Sequence, residues 1–360
     1  MLRNFGYIIS IIFLFCSHAS HAKSLIEAES VFEVHSYDNF RNQQGQSYQN
    51  SHFINETAIT VNFTNSLKLE SEIIIEEIPN DQDQLKSRNF DNQGAFIEGL
   101  KLEYQKGDFA IFGGKFGPNF GKAFDWGRGI WTHTLAENYE PNEKLGGGFS
   151  YSKFGHDLAV SFFHSDEKFL DGSVTTNREG GTRNDGSPGN TDNFNSFNIS
   201  LEGENIFNLS GLSYHLAYLN LATDPGTLKD HQKGMVLALN YQFNPNQDFA
   251  LDALIEYAGI NNLDGDSSKR ERYKTANLIT TYQDKWLNTI GYANHVLQNK
   301  AALDVDSNLY ELSFGYRFSK RFILPNLTIE AGYKHQTLDD GSNNYKQDSV
   351  GLLARYILKF

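Results

Sequence analysis

The sequence predicts an all-β fold: a transmembrane, antiparallel, up-and-down β-barrel of sixteen strands. Three observations predict it. First, the chain ends in Val350-Gly351-Leu352-Leu353-Ala354-Arg355-Tyr356-Ile357-Leu358-Lys359-Phe360. Successive side chains of a strand point to opposite faces. Val350, Leu352, Ala354, Tyr356, Leu358 and Phe360 therefore share one face, and Gly351, Arg355 and Lys359 the other, with Leu353 and Ile357 between them. One face suits lipid and the other tolerates charge. Second, segments of period two recur along the whole chain, and the links between them alternate long and short. Third, aromatics reach 14% (28 Phe, 18 Tyr and 3 Trp) in a chain that is 21% charged and holds only 7 prolines. Many aromatics in a hydrophilic chain suit a polar lumen with aromatic girdles.

In order, the strands are expected near 25–38, 52–63, 66–78, 94–105, 108–115, 145–153, 156–166 and 193–202, then near 207–219, 234–243, 248–259, 273–283, 286–297, 307–318, 325–337 and 347–360. Many run to about ten residues, the length a tilted strand needs to cross the hydrocarbon layer. The short links are Thr64-Asn65, Lys106-Gly107, Phe154-Gly155, Gly203–Ile206, Asn244–Gln247, Asp284-Lys285 and Ser319–Leu324; the long ones are 39–51, 79–93, 116–144, 167–192, 220–233, 260–272, 298–306 and 338–346. Six of the seven short links hold Gly, Asn or Asp, which favour tight turns. Seven short turns and eight long loops follow when an even barrel has both termini at the turn end.

Face assignment fills the lumen with charge. On the first strand Ile26, Ala28, Phe32 and Val34 face out, and Glu27, Glu29, Glu33 and His35 face in. On the third, Leu67, Leu69, Ile73 and Ile75 face out, and Lys68, Glu70, Glu72 and Glu76 face in; Glu98 alone falls on an otherwise apolar face. The inward acids are Glu27, Glu29, Glu33, Glu70, Glu72, Glu76, Glu103, Asp252, Glu256, Glu311 and Glu330, against inward Lys68, Lys101, Arg317, Lys334, Arg355 and Lys359. Burying unpaired charges in a packed core costs several kcal/mol each, a cost that a water-filled lumen largely removes.

The start of the chain reads as an export signal over residues 1–22, with Arg3, an apolar run from Tyr7 to Phe15 and small residues at Ser20 and Ala22. The barrel then occupies 23–360. The run is too short to span a bilayer as a helix. Cys16, the only cysteine, lies in this segment, which excludes disulfides and thiol chemistry from the barrel. The net charge of −13 argues against nucleic-acid binding, which needs clustered Lys and Arg.

The terminal strand ending in Phe360 resembles the sorting signal of Gram-negative outer-membrane proteins. After the fifth strand, Lys115-Phe116-Gly117-Pro118-Asn119-Phe120-Gly121 opens the third long loop, and Glu143-Lys144-Leu145-Gly146-Gly147-Gly148 returns from it. At these positions the chain resembles the Gram-negative porin family. The resemblance implies short periplasmic turns, long extracellular loops, a third loop folded into the barrel, and a homotrimer. It implies a constriction with Asp125, Glu137 and Glu140 as acids and Arg128 as the opposing base. Face assignment gives the lumen-wall residues Glu29, Glu33, Glu70, Glu72, Lys101, Arg317, Lys334 and Arg355; the family's cluster of wall arginines has no clear counterpart. The expected function is passive diffusion of small hydrophilic solutes and ions, with cations preferred by eleven inward acids against six bases. The expected partners are outer-membrane lipid, lipopolysaccharide and the barrel-assembly machinery, the last through Phe360.

Other chemistries find weaker support. A channel selective for a sugar or an anion remains the nearest alternative, ahead of a barrel enzyme or an adhesin. For catalysis the nearest constellations are His156 beside Asp157 and His164-Ser165-Asp166. The scattered histidines show no metal spacing. Asp264-Gly265-Asp266-Ser267 and Asp339-Asp340-Gly341 lack a full calcium pattern and read as polar turns. No cofactor is expected.

Overall fold

A computed structural model describes residues 25–41, 47–78, 86–165, 170, 172–176, 178, 185–191, 193–206, 209–318, 324 and 326–360. The expected export signal, part of the fourth long loop and most of the Ser319–Leu324 turn lie outside the described residues.

Sixteen strands close into one barrel: β1 (Ile26–Arg41), β2 (Tyr48–Asn62), β3 (Leu67–Glu77), β4 (Gln93–Lys106), β5 (Phe109–Phe116), β6 (Lys144–Lys153), β7 (His156–Ser165), β8 (Ser196–Glu204), β9 (Leu212–Leu221), β10 (Gln232–Phe243), β11 (Phe249–Asn261), β12 (Lys269–Tyr282), β13 (Trp286–Asn299), β14 (Val305–Arg317), β15 (Thr328–Asp339) and β16 (Asn344–Lys359). Each pairs antiparallel with the next, and β16 returns to β1 with Glu33 opposite Arg355. A two-residue strand, Arg88–Asn89, pairs in parallel with β2 from within the second loop and is not part of the barrel. Closure matters because hydrocarbon offers no partner to an unpaired N–H or C=O, so a spanning sheet tolerates no edge.

The outer wall is apolar where a soluble protein would be polar. Met235, Leu237, Ile255, Ile290, Leu312, Phe314 and Leu352 are all exposed. Apolar exposure on this scale marks a surface that meets lipid or protein rather than water.

Two sequence expectations change. The strands overrun several of the expected long loops, so the first, sixth, seventh and eighth shrink to 42–47, 262–268, 300–304 and 340–343, while the last short turn lengthens to 318–327. The alternation of link lengths is carried by the second to fifth loops alone. The reason is visible in β12, which opens Lys269-Arg270-Glu271-Arg272: a strand polar on both faces offers no hydrophobic phase to read. The second change concerns Glu98. The β3–β4 register pairs Glu72 with Gly99 but Ile73 with Ile97, leaving Glu98 bulged. A bulge shifts the alternation by one residue, so Phe96 and Glu98 face the lumen as Lys101 and Glu103 do beyond it.

The two aspartate-rich loops are local turns. Asp266 Oδ1 accepts the Ser268 N–H at 2.9 Å, and Asp340 Oδ1 accepts those of Ser342 and Asn343 at 2.9 and 2.7 Å. The buried core lies inside the barrel, between the wall and the third loop: Phe116, Phe120, Ala136 and Tyr139 of the loop and its root pack on Phe163, Leu219, Val236, Leu254, Ala258 and Tyr273.

If the outer face meets hydrocarbon, Leu352→Arg at the middle of β16 should cost about 2–4 kcal/mol in urea unfolding from lipid vesicles. A loss below about 1 kcal/mol, the interfacial value, would place this face outside the bilayer core.

Candidate functional site: the lumen and its third loop

The third loop leaves β5 at Phe116, runs along the inner wall and returns at Lys144, carrying a helical turn α1 (Ala123–Trp126) and a 3-10 segment, Thr132–Asn138. A row of inward polar side chains fastens it. Asn198 of β8 donates to Asn119 O at 2.9 Å, and His215 Nε2 of β9 donates to Phe120 O at 3.1 Å. Glu256 of β11 accepts the Lys122 N–H at 2.8 Å and the Tyr139 hydroxyl. Asn277 of β12 accepts the Arg128 N–H at 3.1 Å and donates to Arg128 O at 3.0 Å.

The tip is held most firmly. Glu311 of β14 accepts the N–H groups of Ile130, Trp131 and Thr132 at 2.6, 3.0 and 2.7 Å, and the Thr132 hydroxyl at 2.6 Å. A buried carboxylate is costly unless its lone pairs are filled; here four donors fill them. Gly129 makes the approach possible, with φ of 106° and Glu311 Oε1 2.5 Å from where a Cβ would stand. Thr132 lies on Gly291 of β13, where a Cβ would come within 1.8 Å of its Oγ1. Lys334, the register partner of Glu311 on β15, sets its ammonium 5.6 Å above the Trp131 ring. At the loop root the fully buried Lys115 pairs with Glu143 at 2.9 Å, and Arg178 of the fourth loop also pairs with Glu143.

What the loop leaves open is a cavity of about 1560 Å³, larger than an ordinary ligand pocket. Its lining runs from Glu77 and Arg178 near the long-loop end to Asn244, Asn326 and Lys359 at the turn end. One side is the wall of β1–β4, with His35, His52, Glu56, Glu72, Glu76 and Glu98; the other is the loop, with Asp125, Arg128, His133 and Glu137. Twelve carboxylates and five Lys or Arg side chains line it.

Pairing separates these charges into spent and unspent ones. Arg355 pairs with Glu33 and, at 3.6 Å, with Glu330; Lys359 pairs with Glu29 at 2.7 Å. Glu56, Glu72, Glu76, Glu98 and Glu137 form no ion pair with a described residue, and the four wall acids lie across the gap from Glu137. Burial and the neighbouring Glu76 and Glu56 push the Glu137 carboxyl up to about 7. His133 is held down to about 4, first by burial and then by Arg355.

Of the residues expected from sequence, Glu29, Glu33, Glu72, Arg317, Arg355, Asp125, Arg128 and Glu137 line this cavity. Glu70 and Lys101 lie in a four-charge cluster on the inner wall, where Lys68 meets Glu70 and Glu103 at 2.7 and 3.0 Å and Lys101 meets them at 2.8 and 3.5 Å. Lys334 is covered by Trp131. Glu140 is not in the lining: it packs on Gly121, with Oε1 buried and unpartnered, and burial, Asp125 and Glu256 raise it to about 8. Glu256 and Glu311, expected as lumen acids, hold the loop instead. The residues missed are Glu56, Glu98 and Arg178. Bulge phase would have given Glu98, whereas no sequence signal placed Arg178 over the Phe96 ring at 3.9 Å.

Of the nearest catalytic constellations, His156 and Asp157 turn to separate partners, and Asp166 of the other lies outside the described residues. His156 bonds Tyr214 at 3.0 Å, Asp157 bonds Ser152, and His164 Nδ1 donates to Ser165 O. Among the described residues no group of three or more His, Cys, Asp or Glu is arranged to hold a metal ion.

No protein-family model matches the sequence, and no curated protein does. Solved structures match along the whole barrel. The outer-membrane channel DcaP of Acinetobacter baumannii shares 13% identity at a TM-score of 0.58, over 92% of this chain and 97% of its own. OpdK of Pseudomonas aeruginosa, solved with vanillate, shares 10% at 0.56 over 93% and 99%. OmpT of Vibrio cholerae, an outer-membrane protein in a trimer form, shares 10% at 0.54 over 93% and 100%. The fold is that of sixteen-stranded Gram-negative outer-membrane channels.

Replacing Glu311 by Ala strips the acceptor from three buried N–H groups, each worth about 1–3 kcal/mol when left unpaired. Amide exchange at Ile130, Trp131 and Thr132 should accelerate tenfold or more while β8–β12 stays protected. Unchanged exchange would show that packing alone holds the tip.

Proposed function

We propose that the chain forms a passive, water-filled channel through the outer membrane for small hydrophilic solutes, and that it prefers cations. The observation that carries this reading is the cavity between the third loop and the wall, whose lining runs from Glu77 and Arg178 to Asn244 and Lys359 and holds twelve carboxylates and five cations. A water-filled passage with one sign of charge raises the local concentration of counter-ions and sets which ions cross. Asp125, Arg128 and Glu137 form the loop side of the constriction, with Glu56, Glu76 and Glu98 opposite them. Glu140 acts through its packing under the loop. The channel is read as an exported protein, with residues 1–22 removed and Phe360 presented to the barrel-assembly machinery. It is read as a homotrimer and not an enzyme; one fold neighbour is itself described in a trimer form.

Purified protein in a planar bilayer under a salt gradient should give stepwise conductance and a cation-sided reversal potential. Asp125→Asn with Glu137→Gln should lower that preference, and an unchanged reversal potential would remove both residues from the constriction. A second measurement uses pH. With Glu137 at about 7, its negative charge appears as pH rises from 6 to 8 and is lost on acidification. Cation preference should therefore climb over that window in the unaltered protein and climb less in Glu137→Gln. Equal slopes would mean that Glu137 does not face the ion path.

A further inference from the structure

The acidic net charge of −13 conceals a basic patch on the outside of the barrel. Inward Tyr273, Thr275 and Asn277 of β12 are buried, so Arg270, Arg272 and Lys274 point outward. On β10, buried Gly234 and Val236 likewise turn Lys233 outward. Register brings the four together: Lys233 pairs with Asn261 of β11, Asn261 with Arg270, Gly259 with Arg272 and Tyr257 with Lys274. With strands ~4.8 Å apart and ~3.3 Å of rise per residue, the patch measures roughly 10 by 13 Å. It sits at the long-loop end, where the outer wall turns apolar at Met235 and Leu278.

None of the four forms an ion pair with a described residue. Arg272 is nonetheless held in place. Its guanidinium lies beside Gly259, where a Cβ would stand 3.6 Å from Nη1, and donates to Ile260 O, Glu271 O and Asn261 Oδ1 at 3.3, 2.8 and 3.4 Å. The intervening acid, Glu271, faces inward and pairs with His295 at 3.0 Å. Asp306, two strands away from Arg272 on β14, bounds the patch and is held by Asn294 and Asn308 at 2.8 and 3.1 Å. Tyr257 supplies an amphipathic ring at the boundary, as aromatics do at headgroup depth.

We propose that Lys233, Arg270, Arg272 and Lys274 form a docking site for the phosphorylated headgroup of an outer-leaflet lipid. Unpaired cations fixed above an apolar wall match a phosphate above acyl chains, and a preorganised guanidinium suits phosphate oxygens through its paired N–H groups. The inference rests on the barrel spanning the outer membrane with its long loops outward, but not on which solutes pass through it.

The test titrates bisphosphorylated lipid A onto the detergent-purified barrel, with dephosphorylated lipid A and inorganic phosphate as separate arms. The wild type should prefer the bisphosphorylated lipid. The combined variant Lys233→Gln, Arg270→Gln, Arg272→Gln, Lys274→Gln should bind it roughly tenfold or more weakly, each cation near an anionic headgroup contributing a fraction of that factor. Arg272→Lys alone, which keeps the charge but loses the paired N–H groups, should weaken binding by less than the combined variant does, and binding unchanged from the wild type would remove the guanidinium from the site. Equal binding of both lipids by the wild type, full binding by the combined variant, or inorganic phosphate bound as tightly as the lipid would each overturn the proposal. Single-channel conductance of the combined variant should stay unchanged, because these side chains lie outside the lumen; absent conductance in the wild type would instead count against the channel.

Discussion

The structure depends on one buried carboxylate. Glu311 draws three consecutive N–H groups and a hydroxyl of the loop tip onto the wall of β14. Hydrogen bonds to an ionised acceptor are stronger than neutral ones, and their value grows where water is excluded. Removing either partner leaves buried polar groups unmet, so the loop and the wall each require the other. With the tip fixed there, Trp131 reaches β15 and β16 and covers Lys334. The loop body then lies against β8–β12, and the wall of β1–β4 stays open across the cavity, joined toward the turn end by Gln242, Asp252, Thr281 and Arg317.

This partition decides what charge the lumen presents. Counting every inward side chain overstates the acids on one side of the barrel, because Glu256 and Glu311 are consumed in holding the loop. It understates them on the other, because Glu56 and Glu98 join Glu72 and Glu76. The cations are mostly spent on wall carboxylates: Arg355 on Glu33 and Glu330, Lys359 on Glu29, Lys68 and Lys101 on Glu70 and Glu103. A field is set by charges left without close partners, and here those include Glu56, Glu72, Glu76 and Glu98 of β2–β4 and Glu137 of the loop.

Much of the barrel was legible in the sequence because a period of two is a local signal repeated sixteen times. It failed where the period lost its contrast. The upper reach of β12 is polar on both faces, so its first residues look like loop. Glu98 sits at a bulge, which moves the phase by one residue without any change in composition. The candidate site was less legible for a different reason. That Asp125, Arg128 and Glu137 belong to an inward loop was implied by the porin resemblance of the segments that open and close it. Which of the acids ends in the lining depends on where the loop is pinned, and the pins (Asn198, His215, Glu256, Asn277 and Glu311) come from five separate strands. Polar side chains at inward positions near Gly291, Gly332 and Gly351 were the available hint, since small residues on a wall mark where another segment can lie against it.

The same alternation explains how one chain can be acidic within and basic at one place without. In Arg270-Glu271-Arg272-Tyr273-Lys274, neighbours in sequence serve opposite environments. Glu271 and Tyr273 turn to the lumen, where one meets His295 and the other packs on Tyr139. Arg270, Arg272 and Lys274 turn to the outer wall just above its apolar belt. As a linear run the segment is a mixed-charge stretch with nothing to recommend it. Folded into a strand it separates its charges by sign, because each face has a different solvent. Net charge is consequently a poor guide to what a barrel meets: the sign that matters is that of each face at each depth, and a single residue of register exchanges one for the other.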